Sequence, residues 1–280
     1  MRPLAAHAAA LLLLVVPCAA AAQEQRAPLV MTVHELVLND GSRMYGAIEQ
    51  ETDTEIVFKT TAGATLRTAR AQVVSLRPVS GRMVRGEFRR EDPNNTRLLF
   101  APTARSIPQG QVYLGVYQVI VPFVQVGITD QFSFGGGTPL IFEIEDWDRL
   151  YWITPKLQVF SNGRTHAAVG LFHGFSGNDG AGIAYGVMTH EISQGAVTVG
   201  AGMGYTSDGG RAGVFMAGAE AGVRRNMKFI TENYVFDGAA VTSGGFRFFG
   251  ERLSADLAVG VALTDEGSFA FPVVNFVYRF

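Results

Sequence analysis

From about Gln111 to Phe280 the chain is a succession of segments in which apolar and polar residues alternate with period two, separated by turns rich in Gly, Asn and Asp. Period two belongs to strands, whose successive side chains point to opposite faces. Val197, Val199, Ala201, Met203 and Tyr205 share one face of their segment, opposite Thr198, Gly200, Gly202 and Gly204. Leu253, Ala255, Leu257, Val259, Val261 and Leu263 repeat the pattern against Ser254 and Asp256. In the last segment Val274, Phe276, Tyr278 and Phe280 stand opposite Asn275 and Arg279. About twelve such segments can be counted. Their turns fall alternately into two sets. One holds Thr129-Asp130, Ser161 to Arg164, Glu191 to Gln194, Arg224 to Asn226 and Gly250-Glu251; the other holds a bend near Pro122, Glu143 to Leu150, Phe175 to Gly180, Ser207 to Arg211, Asp237-Gly238 and Thr264 to Gly267. An apolar face on every strand needs cover, either from a second sheet or from lipid around a closed barrel.

The aromatic alternation ending on Phe280 resembles the closing strand of bacterial outer-membrane β-barrels. That resemblance implies an all-β chain, a transmembrane antiparallel up-and-down barrel of about twelve strands over residues 110–280. It also implies that Val274, Phe276, Tyr278 and Phe280 form the signal read by the barrel assembly machinery. The other terminus agrees: Arg2, the apolar run Leu11 to Val16 and the small residues Ala20-Ala21-Ala22 predict a signal peptide over 1–22. Cys18, the only cysteine, lies within it, so the mature chain is expected to carry no disulfide, thiolate metal site or cysteine nucleophile. Val112 to Ile128 is long and apolar, but Gln118, Pro122, Gln125 and its β-branched residues make it two strands and not a transmembrane helix.

Ahead of the barrel, residues 30–78 read as a small five-stranded module. Asp40-Gly41 separates two period-two runs, a strong hairpin signal, and further strands are predicted over Glu55 to Thr60, Ala64 to Thr68 and Val73 to Leu76. The module resembles small Sm-like or SH3-like barrels. An exported module with few aromatics does not suit base stacking, so no nucleic-acid partner is expected, and the module is read as structural or as binding a periplasmic protein. Residues 79–109 change character: they read as an Arg/Pro-rich connector, and Glu91 to Thr103 resembles a stretch preceding the barrel in an uncharacterised group of outer-membrane proteins. The nine arginines from Arg67 to Arg105 face only three acids, Glu87, Glu91 and Asp92. Guanidinium groups bind phosphate in bidentate fashion, so Arg82, Arg85, Arg89 and Arg90 are expected against lipid phosphates of the outer membrane.

Alternation assigns lumen-facing positions. Lys156, Gln158, His166, Glu220, Glu232, Arg247, Asp256, Asn275 and Arg279 are predicted to line the interior, Glu232 on the condition that Asn233 faces outward. Charges of both signs in a narrow barrel should pair, which either plugs it or lines a selective pore. The four carboxylates Glu143, Glu145, Asp146 and Asp148 are an acidic solvated turn before they are a calcium loop, whose glycine they lack. Trp147, Tyr151 and Trp152 are expected in the aromatic girdle. His166, His173 and His190 with Ser161, Ser176 and Ser193 hold no spacing that identifies a catalytic triad. With a net charge of −2, bulk charge names no partner. These observations favour a structural or passive small-solute role in the outer membrane, without cofactor or metal, over the alternative of a lipid-active hydrolase or acyltransferase.

Overall fold

The computed structural model describes residues 33–79, 81–84, 87–140 and 149–280. The predicted signal peptide with Cys18, the residue Arg85, the side chain of Arg82 and the acidic loop with Trp147 lie outside the described residues. Five strands form the N-terminal module: β1 (Val33–Leu38), β2 (Arg43–Glu51), β3 (Glu55–Thr60), β4 (Thr65–Ala69) and β5 (Val73–Val79). They pair antiparallel in the order β4-β3-β2-β1-β5 around Leu36, Ile56 and Phe58. The Asp40-Gly41 hairpin stands where predicted. Gly41 holds a φ of +84°, which only glycine adopts freely, and Asp40 accepts the Ser42 amide at 2.8 Å. A short hairpin follows, β6 (Gly81–Val84) with β7 (Glu87–Arg90).

The remaining strands close on themselves. They are β8 (Val112–Tyr117), β9 (Val121–Gly127), β10 (Phe132–Gly137), β11 (Tyr151–Ile153), β12 (Lys156–Ser161), β13 (Thr165–Ser176), β14 (Asp179–Ile192), β15 (Gly195–Thr206), β16 (Arg211–Arg224), β17 (Met227–Phe236), β18 (Ala239–Phe249), β19 (Leu253–Thr264) and β20 (Gly267–Arg279). β11 and β12 both pair with β10 and β13, so they occupy one place in the wall, parted by Pro155, which has no N–H to give a ladder. β20 pairs with β8, which leaves a closed antiparallel barrel of twelve positions. Closure removes the edges that an open sheet would present to lipid. Among the described residues the turns fall in the two sets the alternation predicts, with the bend expected near Pro122 at Gln118 to Ile120, and the module-side β7 amide of Arg90 reaches the Arg225 carbonyl at 3.1 Å in one of them. Val197, Val199, Met203, Leu253, Leu257 and Val259 stand exposed on the outer wall, as an apolar band meant for lipid requires.

The wall is not level. β13 to β20 run ten to fourteen residues, but β8, β9 and β10 run only six or seven. β20 pairs with β19 from Gly267 to Tyr278 but with β8 only from Asn275 to Arg279. The Gln118 side chain caps the strand where β8 stops, donating from Nε2 to the Pro272 carbonyl at 2.8 Å and accepting the Val274 amide at 3.0 Å. Since the Pro272 carbonyl points to that side, so does its nitrogen, and the missing N–H falls where no ladder needs it.

Sequence alternation describes the wall but not its filling. Residues 91–107, predicted as connector, run inside the barrel. Leu98, Leu99, Ala101 and Ala104 pack against Ala168, Val187, Met216, Ile230 and Val273 of the wall, and Ile107 against Tyr113, Phe123, Trp152 and Val277. Inward glycine makes room: a Cβ on Gly218 would collide with the Leu98 side chain. Trp152 thus leaves the expected girdle and faces the lumen over Gly137, while its neighbour Tyr151 stays outside, stacked on Phe175 with ring centroids 5.8 Å apart.

An ionic joint fixes the module to the barrel mouth. The Arg77 guanidinium lies 2.6 Å from buried Glu35 and 2.5 Å from Glu251 in the β18–β19 turn, and Arg90 lies 2.7 Å from Glu251. Tyr45 donates to Glu35 at 2.7 Å, stacks on Phe88 with centroids 4.7 Å apart and receives the Arg225 guanidinium over its ring at 4.8 Å. Burial pushes the Glu35 carboxyl up, but the Tyr45 and Arg77 hydrogen bonds and both arginine charges outweigh it and hold the pKa below the ordinary value. A depressed carboxyl stabilises the joint above its unfolded pKa of about 4.3 and loses that contribution as pH falls through the lower folded value. Protease cleavage between the module and residue 91 should therefore be flat from neutrality to about pH 5 and rise below about pH 4. Glu35→Gln should reproduce part of that rise at neutral pH.

Candidate functional site

The lumen at the module end is where alternation directs charge and where the inner segment arrives. Each strand contributes through its inward parity. β16 supplies Glu220, β17 Lys228 and Glu232, β18 Arg247, β19 Asp256, β20 Asn275 and β12 Lys156; all are exposed by 7% or less. Asn233 turns outward as the condition on Glu232 required, its Nδ2 donating to Ala217 and Thr231. Gln158 and His166 are half-buried beside them, and Arg279 sits at the mouth with its guanidinium on the Glu251 carbonyl at 3.3 Å. The aromatic set Phe276, Tyr278 and Phe280 is exposed on the opposite, outer face.

These charges form one alternating chain with residues of the inner segment. Arg97 lies 3.3 Å from Asp256, Asp256 2.5 Å from Arg247, Arg247 3.0 Å from Asp92, and Asp92 2.6 Å from Lys228. Lys228 lies 2.5 Å from Glu220, Glu220 2.6 Å from Arg105, and Arg105 2.8 Å from Glu191. Four cations alternate with four anions, so the chain is neutral as a whole. Neither the wall nor the inner segment is neutral alone: the wall holds Glu191, Glu220 and Asp256 against Lys228 and Arg247, and the segment returns Arg97 and Arg105 against Asp92. Burying either set unpaired would cost several kcal/mol per ion. A cavity of about 270 Å³ opens beside this chain at the module end, lined among others by Arg89, Asp92, Arg105, Glu191, Glu220 and Lys228.

Two wall charges take no counter-ion of this chain and bind backbone instead. One Glu232 carboxylate oxygen accepts the amides of Leu99, Phe100 and Ala101 at 2.8, 3.0 and 3.1 Å, and the other accepts the Tyr234 hydroxyl at 2.7 Å. Successive amides converging on one anion form a nest. Lys156 does the reverse, donating from Nζ to the carbonyls of Thr96, Thr103 and Arg105 at 3.3, 3.0 and 2.7 Å. Gln158 donates to the Ala104 carbonyl at 2.8 Å and Asn275 to that of Leu99 at 3.1 Å. An irregular segment without strand partners is thereby satisfied by wall side chains.

Lys228 escapes the sequence assignment although it shares the parity of Glu232, opposite Phe229; the alternation there is sufficient to place it. Asp92, Arg97 and Arg105 carry no such signal, since the segment has no periodicity. The Asn94-Asn95-Thr96 sequon is enclosed in the barrel, with Asn94 and Thr96 buried. Of the predicted phosphate-binding arginines, Arg89 donates to the Gly222 carbonyl at 2.7 Å and Arg90 pairs with Glu251.

The histidines do not converge. His173 faces outward on the Tyr205 hydroxyl at 2.9 Å, and His190 contacts the Thr165 hydroxyl at 2.9 Å. Ser161 does lie 2.9 Å from His166 Nδ1, but the carboxylate beyond, Glu191, stands 4.0 Å from Nε2 and is held by Arg105. That distance is outside hydrogen-bond reach for the orienting acid of a triad. Among the described residues no group of His, Cys, Asp or Glu is arranged to hold a metal ion.

No family model matches the sequence, and no curated relative matches it. Solved structures similar to the chain include the KdgM porin in complex with disordered oligogalacturonate, at 7% identity and a TM-score of 0.47, covering 61% of this chain and 98% of that one. The CymD monoaromatic hydrocarbon channel is similar at 9% identity and a TM-score of 0.40, covering 88% and 86%. Salmonella typhi OmpF in complex with daunomycin is similar at 10% and 0.35, covering 89% and 95%. Likenesses of this order assign no ligand or activity to the chain.

Replacing Arg247 with Met strips Asp256 and Asp92 of their shared cation, so the folded barrel should lose about 3–5 kcal/mol. Asp208→Asn, in an exposed turn, should leave the unfolding midpoint unchanged. Urea titration followed by heat-modifiable gel mobility distinguishes the two.

Proposed function

We propose that the protein is an outer-membrane barrel that passes small solutes passively and whose lumen is shut at rest by its own residues 91–107, with the N-terminal module in the periplasm. The observation that carries this reading is the closed twelve-position barrel, apolar outside, with an irregular segment seated in it on a neutral charge chain. A barrel of this size is narrow, whereas open aqueous channels have about 16–18 strands, so one segment suffices to fill it. The seat is polar. Each ion pair and amide contact that holds the segment can be exchanged for water, which makes release a matter of rearranged hydrogen bonds and ions around a small apolar cluster.

Planar-bilayer recording tests the reading. The native protein should show a closed baseline with brief openings. Glu232→Ala, which removes the acceptor of three segment amides, should raise the open fraction by about tenfold or more, the scale of losing hydrogen bonds to a charged group. Exchange of residues 92–107 for a Gly/Ser chain of equal length should give a steady pore. Silence of both the native protein and Glu232→Ala, with insertion verified, would leave a purely structural role and sink the transport reading. A large steady conductance of the native protein would remove the shut state.

A further inference from the structure

The same register that gathers charge at the module end gathers apolar and aromatic side chains at the other. Pairing fixes the parity around the barrel: Phe172 lies opposite Ile183, Met216 opposite Tyr234, Tyr234 opposite Val241, Val241 opposite Ala262 and Ala262 opposite Phe269. These positions share the inward face with buried Glu220, Glu232, Arg247 and Asp256. On β13 to β20, from the residues paired in register with Glu232 to the far turns, Asp179 at the very start of β14 is the only charged side chain of inward parity among the described residues; Lys156 of β12, in line with Gly170 and Tyr185, is taken up by carbonyls of the inner segment. Phe100 of the inner segment and Tyr185, Tyr234 and Phe271 of the wall close the bottom. Above them Phe172 is 42% exposed and Phe269 61% exposed although both face inward, so there is open space in front of their rings inside the barrel.

The geometry points to a binding vestibule for a small uncharged aromatic molecule of one or two rings. An aqueous channel would be lined with polar groups, whereas a ligand pocket is chiefly apolar and aromatic with few polar groups. Flat rings offer offset and edge-on contacts to a flat ligand. The long strands β13 to β20 wall it in over most of its circumference, which suits a small molecule and not a folded protein partner. Among the described residues the far turns carry Asp208, Asp237, Asp265 and Glu266 besides Asp179, against Arg149 and Arg211, so an anionic ligand is disfavoured at the rim.

The low side of the wall supplies a route. A transmembrane strand needs about 9–11 residues, and β8, β9 and β10 have six or seven. Val119, Ile120 and Leu140 are exposed at the top of that low side, an apolar sill between vestibule and lipid. The inference names the solute class for the transport reading above, and binding can be read while the lumen is shut, so either can fail alone.

The test uses the full chain in lipid nanodiscs with Cys18→Ser and an environment-sensitive fluorophore on Ile183→Cys, inward, or on Met203→Cys, outward. Naphthalene should change the Ile183→Cys signal saturably and leave Met203→Cys with only the unsaturable response of membrane partitioning. Phe172→Ser with Phe271→Ser should weaken the saturable response by about tenfold or more, the scale of losing buried aromatic contacts. 2-Naphthoate should bind about tenfold more weakly than naphthalene at low salt. Unsaturable responses at both sites overturn the proposal. So does quenching at Ile183→Cys by brominated-acyl lipid without competition by naphthalene, which would make the occupant a lipid chain. Heat-modifiable mobility checks that each variant is folded.

Discussion

A backbone segment inside a barrel must have every amide and carbonyl answered, because it has no neighbouring strand and the surrounding wall is fully paired to itself. Here the wall answers with charge. Glu232 takes three consecutive amides and Lys156 three carbonyls, while Arg247 adds the carbonyls of Asn94, Arg97 and Leu98 to its two carboxylate partners. Those wall charges are tolerable in turn only because the segment covers and pairs them. Wall and filling therefore answer each other, and wherever the segment leaves, water has to take its place at those charges.

The alternation made the wall legible before any coordinates. Thr198 and Val199, or Asp256 and Leu257, could be assigned to faces because a one-residue slip would turn every apolar side chain into the lumen. The same rule placed Glu220, Glu232, Arg247, Asp256, Lys156 and Asn275 at buried inward positions. What the rule cannot see is a segment without period. Residues 91–107 read as a connector because their prolines and arginines match solvated linkers, and their apolar run, Leu98-Leu99-Phe100-Ala101, is too short to mark a strand or helix. The far end of the lumen escapes the same rule for a related reason. Far from the inner segment, inward positions are Gly, Ala, Phe, Tyr and Val, which offer little contrast with the lipid face.

The two ends of the lumen impose different physics on whatever passes. The module end is ionic, with paired charges and a small wet cavity; the far end is aromatic and carries little charge. An ion gains nothing from the far end, where its hydration would have to be surrendered to ring faces. An uncharged ring gains apolar contact there but meets the filled, charged section next. Passage through the full length thus requires the segment to withdraw, and the low wall at β8 to β10 provides the shorter path between vestibule and bilayer.

Withdrawal cannot be independent of the module. Arg90 closes the ionic joint with Glu251, and two residues later Asp92 is seated between Lys228 and Arg247. An extended chain gives about 3.3–3.6 Å per residue, so that spacing leaves little slack between the two anchors. Loosening Arg77, Arg90 and Glu35 from Glu251 would release the first anchor and leave the second holding the segment through buried ions. Pulling on the module would instead load Asp92 first, at the middle of the charge chain, where removing one carboxylate unpairs cations on both sides. The joint and the seat act in series, and the anchor that yields first decides whether movement of the module reaches the lumen.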